Sequence, residues 1–521
     1  MRIASLALKL KITAGFLALA ALLVAAKAIR NLYMTPTEPL EISLSSAYNR
    51  PLSAYDPAHI ENAPQHIVLS NIYSPLLEYT NDGALGSAIA SSFGWDGGEA
   101  HFKIRPGLKT IDGRPINAYD VENTFKRLFI MKSNTHGDLK SVICPGAKLT
   151  SLNDNCPNIE VRQGGELLVI KFEKSNTYLF PMLTAMDYAV IPSGSIDSKT
   201  LKITDFRNTS GPFWVDENTD DHMVLRSNPH SFRYSDKMPQ KVEFVYLKKP
   251  KSDTPLSMFL EKKINHIATV GSSPEILLSN FTGKKDVSMH LTEPMWLRYA
   301  TFTQKGRQEL PEQRRLEIAK TLKKVLLEEF LKLDGYVDAP QLFPGFGKGS
   351  LSAEELEKLK TRYASVPVVD VFPEKMIAWF FPKRYIPRLQ QHFPNTEFVD
   401  GKKVPCFIDP KDRGADYPHF YFAGTDMGFQ EDISLLSYKI NTEIFYLTGK
   451  DGEGWIKDYI GEEDDARKIK MLKKLHYDAL DKAATVPLVF CPYVSVVRAP
   501  WKMDFPKYTY DNNFWQLRHG E

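Results

Sequence analysis

The residue types that could do chemistry in this chain are spread thin, and their spacing favours recognition over catalysis. There is no Gly-x-Ser-x-Gly, no His-Glu-x-x-His and no Walker-type phosphate loop, so serine, zinc and nucleotide chemistry lack their usual carriers. Gly345-Phe-Gly-Lys-Gly-Ser350 has the wrong spacing for a phosphate loop and reads as a lead-in to a helix. His290, His392 and His419 are isolated in the sequence, each more simply a surface or satisfied core histidine than a metal ligand. No cofactor, metal or catalytic residue is therefore expected. A binding cleft, by contrast, needs aromatic walls and a few fixed polar groups. Tyr73, Trp214, Trp296, Tyr299, Trp379 and Phe380 could form such walls, although most large aromatics are core. Arg298 could grip a ligand carboxylate in bidentate fashion, or point to water from a surface strand. Asp426, within Ala423-Gly-Thr-Asp426, is by itself a loop aspartate able to cap its own turn.

The elements that would position these residues follow an α/β pattern. Phe102 to Leu128 reads as strand, turn at Pro106-Gly107, tight turn at Asp112-Gly113, then a helix capped by Asn117 with Asp120 in its first turn. Val121, Phe125 and Leu128 repeat at helical spacing. Upstream, Glu41-Ile-Ser-Leu-Ser alternates as a strand and Ile67 to Leu77 is an apolar helical patch. Residues 159–173 form a hairpin around Gly164-Gly165, and Pro311 to Leu331 is a long helix. Ser352-x-x-Glu355 is a capping box with Leu351 and Leu356 as its staple. Val368 to Phe372 is expected as a strand and Met376 to Phe381 as the start of a helix. His419 to Ala423 is expected as a strand, Asp464 to Leu480 as an amphipathic helix, and Val486 to Tyr493 as an apolar strand.

The run Asp112-Gly-Arg-Pro115-Ile-Asn-Ala118-Tyr-Asp120-Val121 closely resembles the signature of the family 5 extracellular solute-binding proteins, the peptide- and nickel-type receptors of ABC importers. Asn208-Thr-Ser-Gly-Pro-Phe-Trp-Val215 followed by Met223 to Pro229, and the helix–Ala-x-x-x-Pro-Leu–strand order near the C-terminus, resemble further steps of that family. The resemblance covers roughly residues 40–521. It implies a two-lobed periplasmic-binding-protein clamshell of type II, with three subdomains and mixed sheets flanked by helices. On that pattern residues 41–62, 190–269 and 484–521 form a discontinuous first lobe, 63–189 its appended subdomain and 270–483 the second lobe. Residues 29–40 would be a tether.

Length and composition agree with an exported globular chain. The 521 residues exceed one compact core. A net charge of +3 gives no reason to expect nucleic acid as a partner. Arg2, Lys9 and Lys11 precede an uncharged run from Ile12 to Ala26, with a small-x-small site at Ala26-Lys27-Ala28, the anatomy of a signal peptide over residues 1–28. An uncleaved signal anchor is the alternative. Cys144 and Cys156 flank a turn-rich loop and suit a local disulfide in an oxidising compartment; free thiols are the alternative. Cys406 and Cys491 could form a second bridge.

By resemblance, then, the chain is expected to be a periplasmic substrate-binding protein that captures small peptides between its lobes. It would act as a monomer and deliver them to an ABC permease in the inner membrane. Asp426 occupies the place of the acidic residue that pairs with a ligand's amino terminus in peptide-binding relatives. The alternatives are a membrane-anchored ligand sensor built on the same clamshell, or a receptor for a non-peptide solute such as a nickel complex.

Overall fold

The computed structural model describes residues 40–44, 55–60, 63–81, 83–131, 140, 143–172, 179–247, 254–269, 273–345, 347–399, 414–425, 441–450, 452–462, 464–508 and 513–520. Two large mixed sheets carry the fold. The first has seven strands, in the spatial order 287–291, 494–498, 266–268, 40–44, 241–246, 222–227 and 213–218. The second has six, in the order 337–338, 485–491, 296–302, 420–425, 376–379 and 396–399. A four-stranded antiparallel sheet, in the order 90–96, 99–104, 167–171 and 159–162, belongs to an appended unit.

Among the described residues the chain passes between the large sheets twice. It leaves the first after Leu291 and enters the second at Trp296; it leaves the second after Cys491 and re-enters the first at Val494. The pairing places both passages: 287–291 runs antiparallel to 494–498, and 485–491 runs antiparallel to 296–302.

The signature helix, Ala118–Ile130, shows why its residues are there. Asn117 accepts from the Tyr119 N–H at 2.9 Å, and Asp120 accepts from the Asn117 N–H at 2.9 Å, closing a capping box. Val121, Phe125 and Leu128 are buried against Phe102, Leu168 and Ile170 of the small sheet. The other face is polar and buried. Arg127 is fully buried and grips Asp56 through two hydrogen bonds, while its Nε donates to the Leu201 carbonyl at 2.7 Å. Asp120 also accepts from the Ser193 N–H and hydroxyl, both at 2.7 Å. Asp112, in the turn before the helix, accepts from Asn208 at 2.8 Å and Arg207 at 3.2 Å. The signature therefore ties the small unit to segment 191–210 of the first lobe. Nearby, a Cβ at Gly211 would lie 2.5 Å from the Ile72 carbonyl carbon, so only glycine permits this approach of the two backbones.

In the second lobe, the helix Glu312–Phe330 buries Leu316, Ala319, Leu322, Leu326 and Phe330. Ser352 and Glu355 form the expected capping box at the start of Ala353–Ser365. Two expectations are corrected. Residues 368–372 are not a strand: Val368 and Val371 are exposed, and only Phe372 packs inward, stacked 4.7 Å from Phe393. Met376–Trp379 is a strand instead of a helix start, parallel to 396–399 and 420–425. Pro373 and Pro382 leave too short a run for a helix, and Phe380 at φ 66° ends the strand.

Cys144 and Cys156 form a disulfide with Cα atoms 4.8 Å apart. Cys491 is a buried free thiol; Cys406 lies outside the described residues, as does the N-terminal segment. Among the described residues no helix is long and apolar enough to cross a membrane.

Two measurements probe this framework. Arg127→Met should cost about 3 kcal/mol in denaturant unfolding, because it strands a largely buried carboxylate. Exposed Arg207→Ala should cost under about 1 kcal/mol. The second concerns His476, buried with Nε2 accepting from the Leu342 N–H at 2.9 Å and Nδ1 facing the Gly349 carbonyl at 3.0 Å. Burial pushes its pKa down to about 4, against about 6.5 unfolded. Between those values the unfolded chain binds more protons, so stability falls as pH drops from about 6.5 to 4, by about 3 kcal/mol in all. His476→Gln should remove that component from the pH dependence of the unfolding midpoint.

Candidate functional site

The strand Trp296–Phe302 presents alternate faces. Leu297 and Tyr299 are buried in a core with Phe445, Trp455 and Leu472. Ala300 and Phe302 join the opposite core, which also takes Ile264, Ile267, Leu277 and Leu278 from beside the first sheet. Trp296 and Arg298 stand on this second face, just past the passage between sheets, and both are partly exposed. The Arg298 guanidinium lies 4.4 Å from the centre of the Trp296 ring, a cation–π contact.

Directly across the ladder from Arg298 is Gly424. A Cβ there would lie 2.8 Å from an Arg298 guanidinium nitrogen and 3.0 Å from the Trp296 indole nitrogen. The bare glycine is therefore what lets this pair lie flat against the sheet. The next passage residue, Tyr493, has its ring 6.3 Å from Trp296.

Beside this pair is a cavity of about 360 Å³. Arg298 and Phe422 come from the six-stranded sheet. Ser273 and Glu275 come from the start of the helix Pro274–Phe281, which packs on the strand 494–498 of the first sheet. Lys383 and Arg384 come from the loop after strand 376–379. The cavity thus draws on elements attached to both sheets. Arg384 pairs with Glu275 at 2.8 Å. Burial pushes the Glu275 carboxyl up, but the Ser273 hydroxyl and the Arg384 and Arg298 charges outweigh it and hold its pKa below the usual value. Burial likewise works against the Arg298 charge, and Cys491 and Glu275 more than restore it. At neutral pH the cavity holds a carboxylate and guanidinium groups, with no group poised for proton transfer.

Of the residues singled out from sequence, the structure brings together Trp296 and Arg298. Trp379 lies on the same sheet but is buried, edge-on to Tyr417 at 5.4 Å and to Phe380 at 5.9 Å. Tyr299 is buried on the opposite face. Tyr73 is fully buried in the first-lobe core with Ile72 and Phe213. Trp214 is buried in the first lobe under Arg207, whose guanidinium is 4.6 Å from its ring. Asp426 follows Thr425, the last residue of strand 420–425, and lies outside the described residues. Sequence reading missed Glu275 and Arg384. Ser273-Pro-Glu reads as an ordinary helix start and Pro382-Lys-Arg as a charged turn, so neither carries a local signal. Among the described residues no group of three or more His, Cys, Asp or Glu could hold a metal ion.

The fold is shared with solved structures at low identity. An oligopeptide-binding protein, OppAIV of Borrelia burgdorferi, superposes with a TM-score of 0.67 at 16% identity, over 92% of this chain and 99% of that one. The murein tripeptide binding protein MppA of Escherichia coli gives 0.66 at 14%, over 94% and 100%. NikA of Brucella suis, solved with Fe(III)-EDTA, gives 0.68 at 15%, over 92% and 100%. These likenesses establish the two-lobed periplasmic-binding-protein fold. No curated protein sequence matches the chain. Residues 85–325 match the sequence model described as bacterial extracellular solute-binding proteins, family 5 Middle. That segment contains the signature Asp112 to Val121 and runs through the passage into the second lobe, so this part of the chain is similar to the family 5 extracellular solute-binding proteins.

Proposed function

We propose that this protein is an extracytoplasmic receptor that captures small peptides between its two lobes and delivers them to an ABC permease in the inner membrane. Family 5 proteins are binding proteins, not enzymes, and the cavity supplies fixed charges and aromatic walls suited to holding a ligand. The observation that carries the reading is the position of Trp296 and Arg298. They sit on the exposed-glycine face of the second sheet, at the passage between lobes, beside a cavity built from both sides. A ligand there contacts both lobes at once, and its differential contacts would favour the closed form. The oligopeptide and murein tripeptide binders of the same fold support peptides as the ligand class. Asp426 would pair with the ligand's amino terminus, one residue past the strand that carries Gly424. Residues 1–28 would direct export, and the protein would act as a monomer. If they are retained as an anchor, the same clamshell would serve a sensor.

Native mass spectrometry on the exported protein tests this directly. Short peptides should co-purify, Asp426→Ala should release them, and the chain mass should lack residues 1–28. A protein that carries only a non-peptide solute would refute the ligand class. Gly424→Ala supplies a second test. The added methyl must displace Arg298 or Trp296, so retention of the co-purified ligand should fall about tenfold, the size of a lost charge-assisted contact. The unfolding midpoint should change little, because residue 424 is exposed.

A further inference from the structure

We propose that Glu275 latches the two lobes to each other. Its carboxylate, carried on the first lobe, is held by Arg384 of the second, and the contact biases the empty protein toward the arrangement in which both lobes wall one cavity. The inference rests on the two-lobed receptor reading above and adds a device that sets the receptor's resting state.

The two partners travel with different sheets. The helix Pro274–Phe281 lies between strands 266–268 and 287–291, both of the first sheet, and packs on strand 494–498 of that sheet. Glu275 therefore moves with the first lobe. Arg384 lies between strands 376–379 and 396–399, Arg298 is in strand 296–302, and Tyr336 immediately precedes strand 337–338, all of the second sheet. The Glu275–Arg384 pair at 2.8 Å thus crosses from one lobe to the other.

A buried ion pair favours the arrangement that contains it only if the charge is better served there than in water. Glu275 is buried. Burial raises its carboxyl pKa, but the Ser273 hydroxyl, Arg384 and Arg298 outweigh that and leave the pKa below its usual value. The anion is therefore held better here than in water. Of the groups responsible, only Ser273 stays with Glu275 when the lobes part.

Tyr336 adds a second contact of the same kind. It is buried and stacked on Phe330, with ring centres 5.8 Å apart. Its hydroxyl faces Cys491 and Glu275, yet among the described residues it completes no hydrogen bond, and neither does Glu275 Oε2. A buried donor and a buried acceptor, carried by opposite lobes, are left open to each other. Unmade bonds of this kind are costly, so a small further closure that joins them would tighten the same latch.

Small-angle X-ray scattering on the full exported protein, unfolded and refolded to strip bound small molecules, tests the latch. The unaltered chain should be more compact than Arg384→Gln or Glu275→Gln. The ratio of closed to open molecules should fall about threefold to tenfold in either variant. The double variant should fall no further than the single ones, because each removes the same contact; additive effects would overturn the latch. Raising the salt should expand the unaltered chain, since Arg384 is exposed, and leave Glu275→Gln unchanged. Tyr336→Phe should shift the ratio in the same direction by a smaller factor. Adding a pool of two- to five-residue peptides separates this inference from the receptor reading. If all chains have one radius of gyration without peptides and all contract with them, the latch is refuted and the receptor reading stands. If the variants are expanded but peptides contract none of the chains, the latch stands and the peptide reading fails. Equal radii throughout, with and without peptides, overturn both.

Discussion

The structure depends on how two short passages of chain are fastened side by side. Residues 291–296 and 491–494 are the described covalent links between the sheets after strand 266–268, and two threonine hydroxyls hold them. Thr269 Oγ1 donates to the Val494 carbonyl at 3.1 Å and accepts from the Val494 N–H at 2.8 Å. Thr292 Oγ1 accepts from the Tyr493 N–H at 2.8 Å, and its own N–H donates to the Tyr493 carbonyl at 3.1 Å. Buried backbone groups at a sheet-to-sheet passage cannot go unpaired without cost, and these side chains satisfy them where no ladder continues. Everything at the candidate site is measured from this joint. Trp296 is the first residue of the second sheet, Arg298 is two further on, and the helix bearing Glu275 packs on the strand that begins at Val494. Hinge motions concentrate at a few element-terminal residues, and these passages have that character.

The recognisable signature does different work. Asp112, Asp120 and Arg127 bond to Asn208, Ser193, Asp56 and Leu201, all within the first lobe and its appended unit. Breaking the buried Arg127–Asp56 pair leaves an uncompensated charge, so that pair resists substitution whatever ligand the cleft holds. This explains why the signature identifies the family and is silent on the ligand. Tyr73, and Trp214 within the Asn208 to Val215 segment, likewise fill the first-lobe core.

Legibility in the sequence followed locality. The capping boxes at Asn117 and Ser352, the hairpin around Gly164-Gly165 and the Glu312–Phe330 helix rest on bonds or periodicities spanning a few residues, and they stand where the sequence places them. Met376–Trp379 departs from the helix start expected there because a four-residue apolar run has no decisive period; only its pairing with 396–399 and 420–425 makes it a strand. The passages between sheets depend on pairing partners more than 180 residues apart, which leave no local trace. At the site, Trp296 and Arg298 were legible as alternate residues of one strand. Glu275, Arg384 and the clearance at Gly424 come from separate segments and became visible only when folded together.

That clearance also decides why arginine, and not lysine, suits position 298. An ammonium is a compact, strongly hydrated point charge that gains little from lying between a ring and a backbone. A guanidinium is planar and more weakly hydrated, so one face can rest on Trp296 while its edge keeps several donors free. The glycine opposite supplies the thickness this arrangement needs. Arg384 pairs with Glu275 at 2.8 Å, while Arg298 rests between the Trp296 ring and the Gly424 backbone with Glu275 and Cys491 supporting its charge. Preorganisation of this kind raises affinity by lowering the ordering cost of binding.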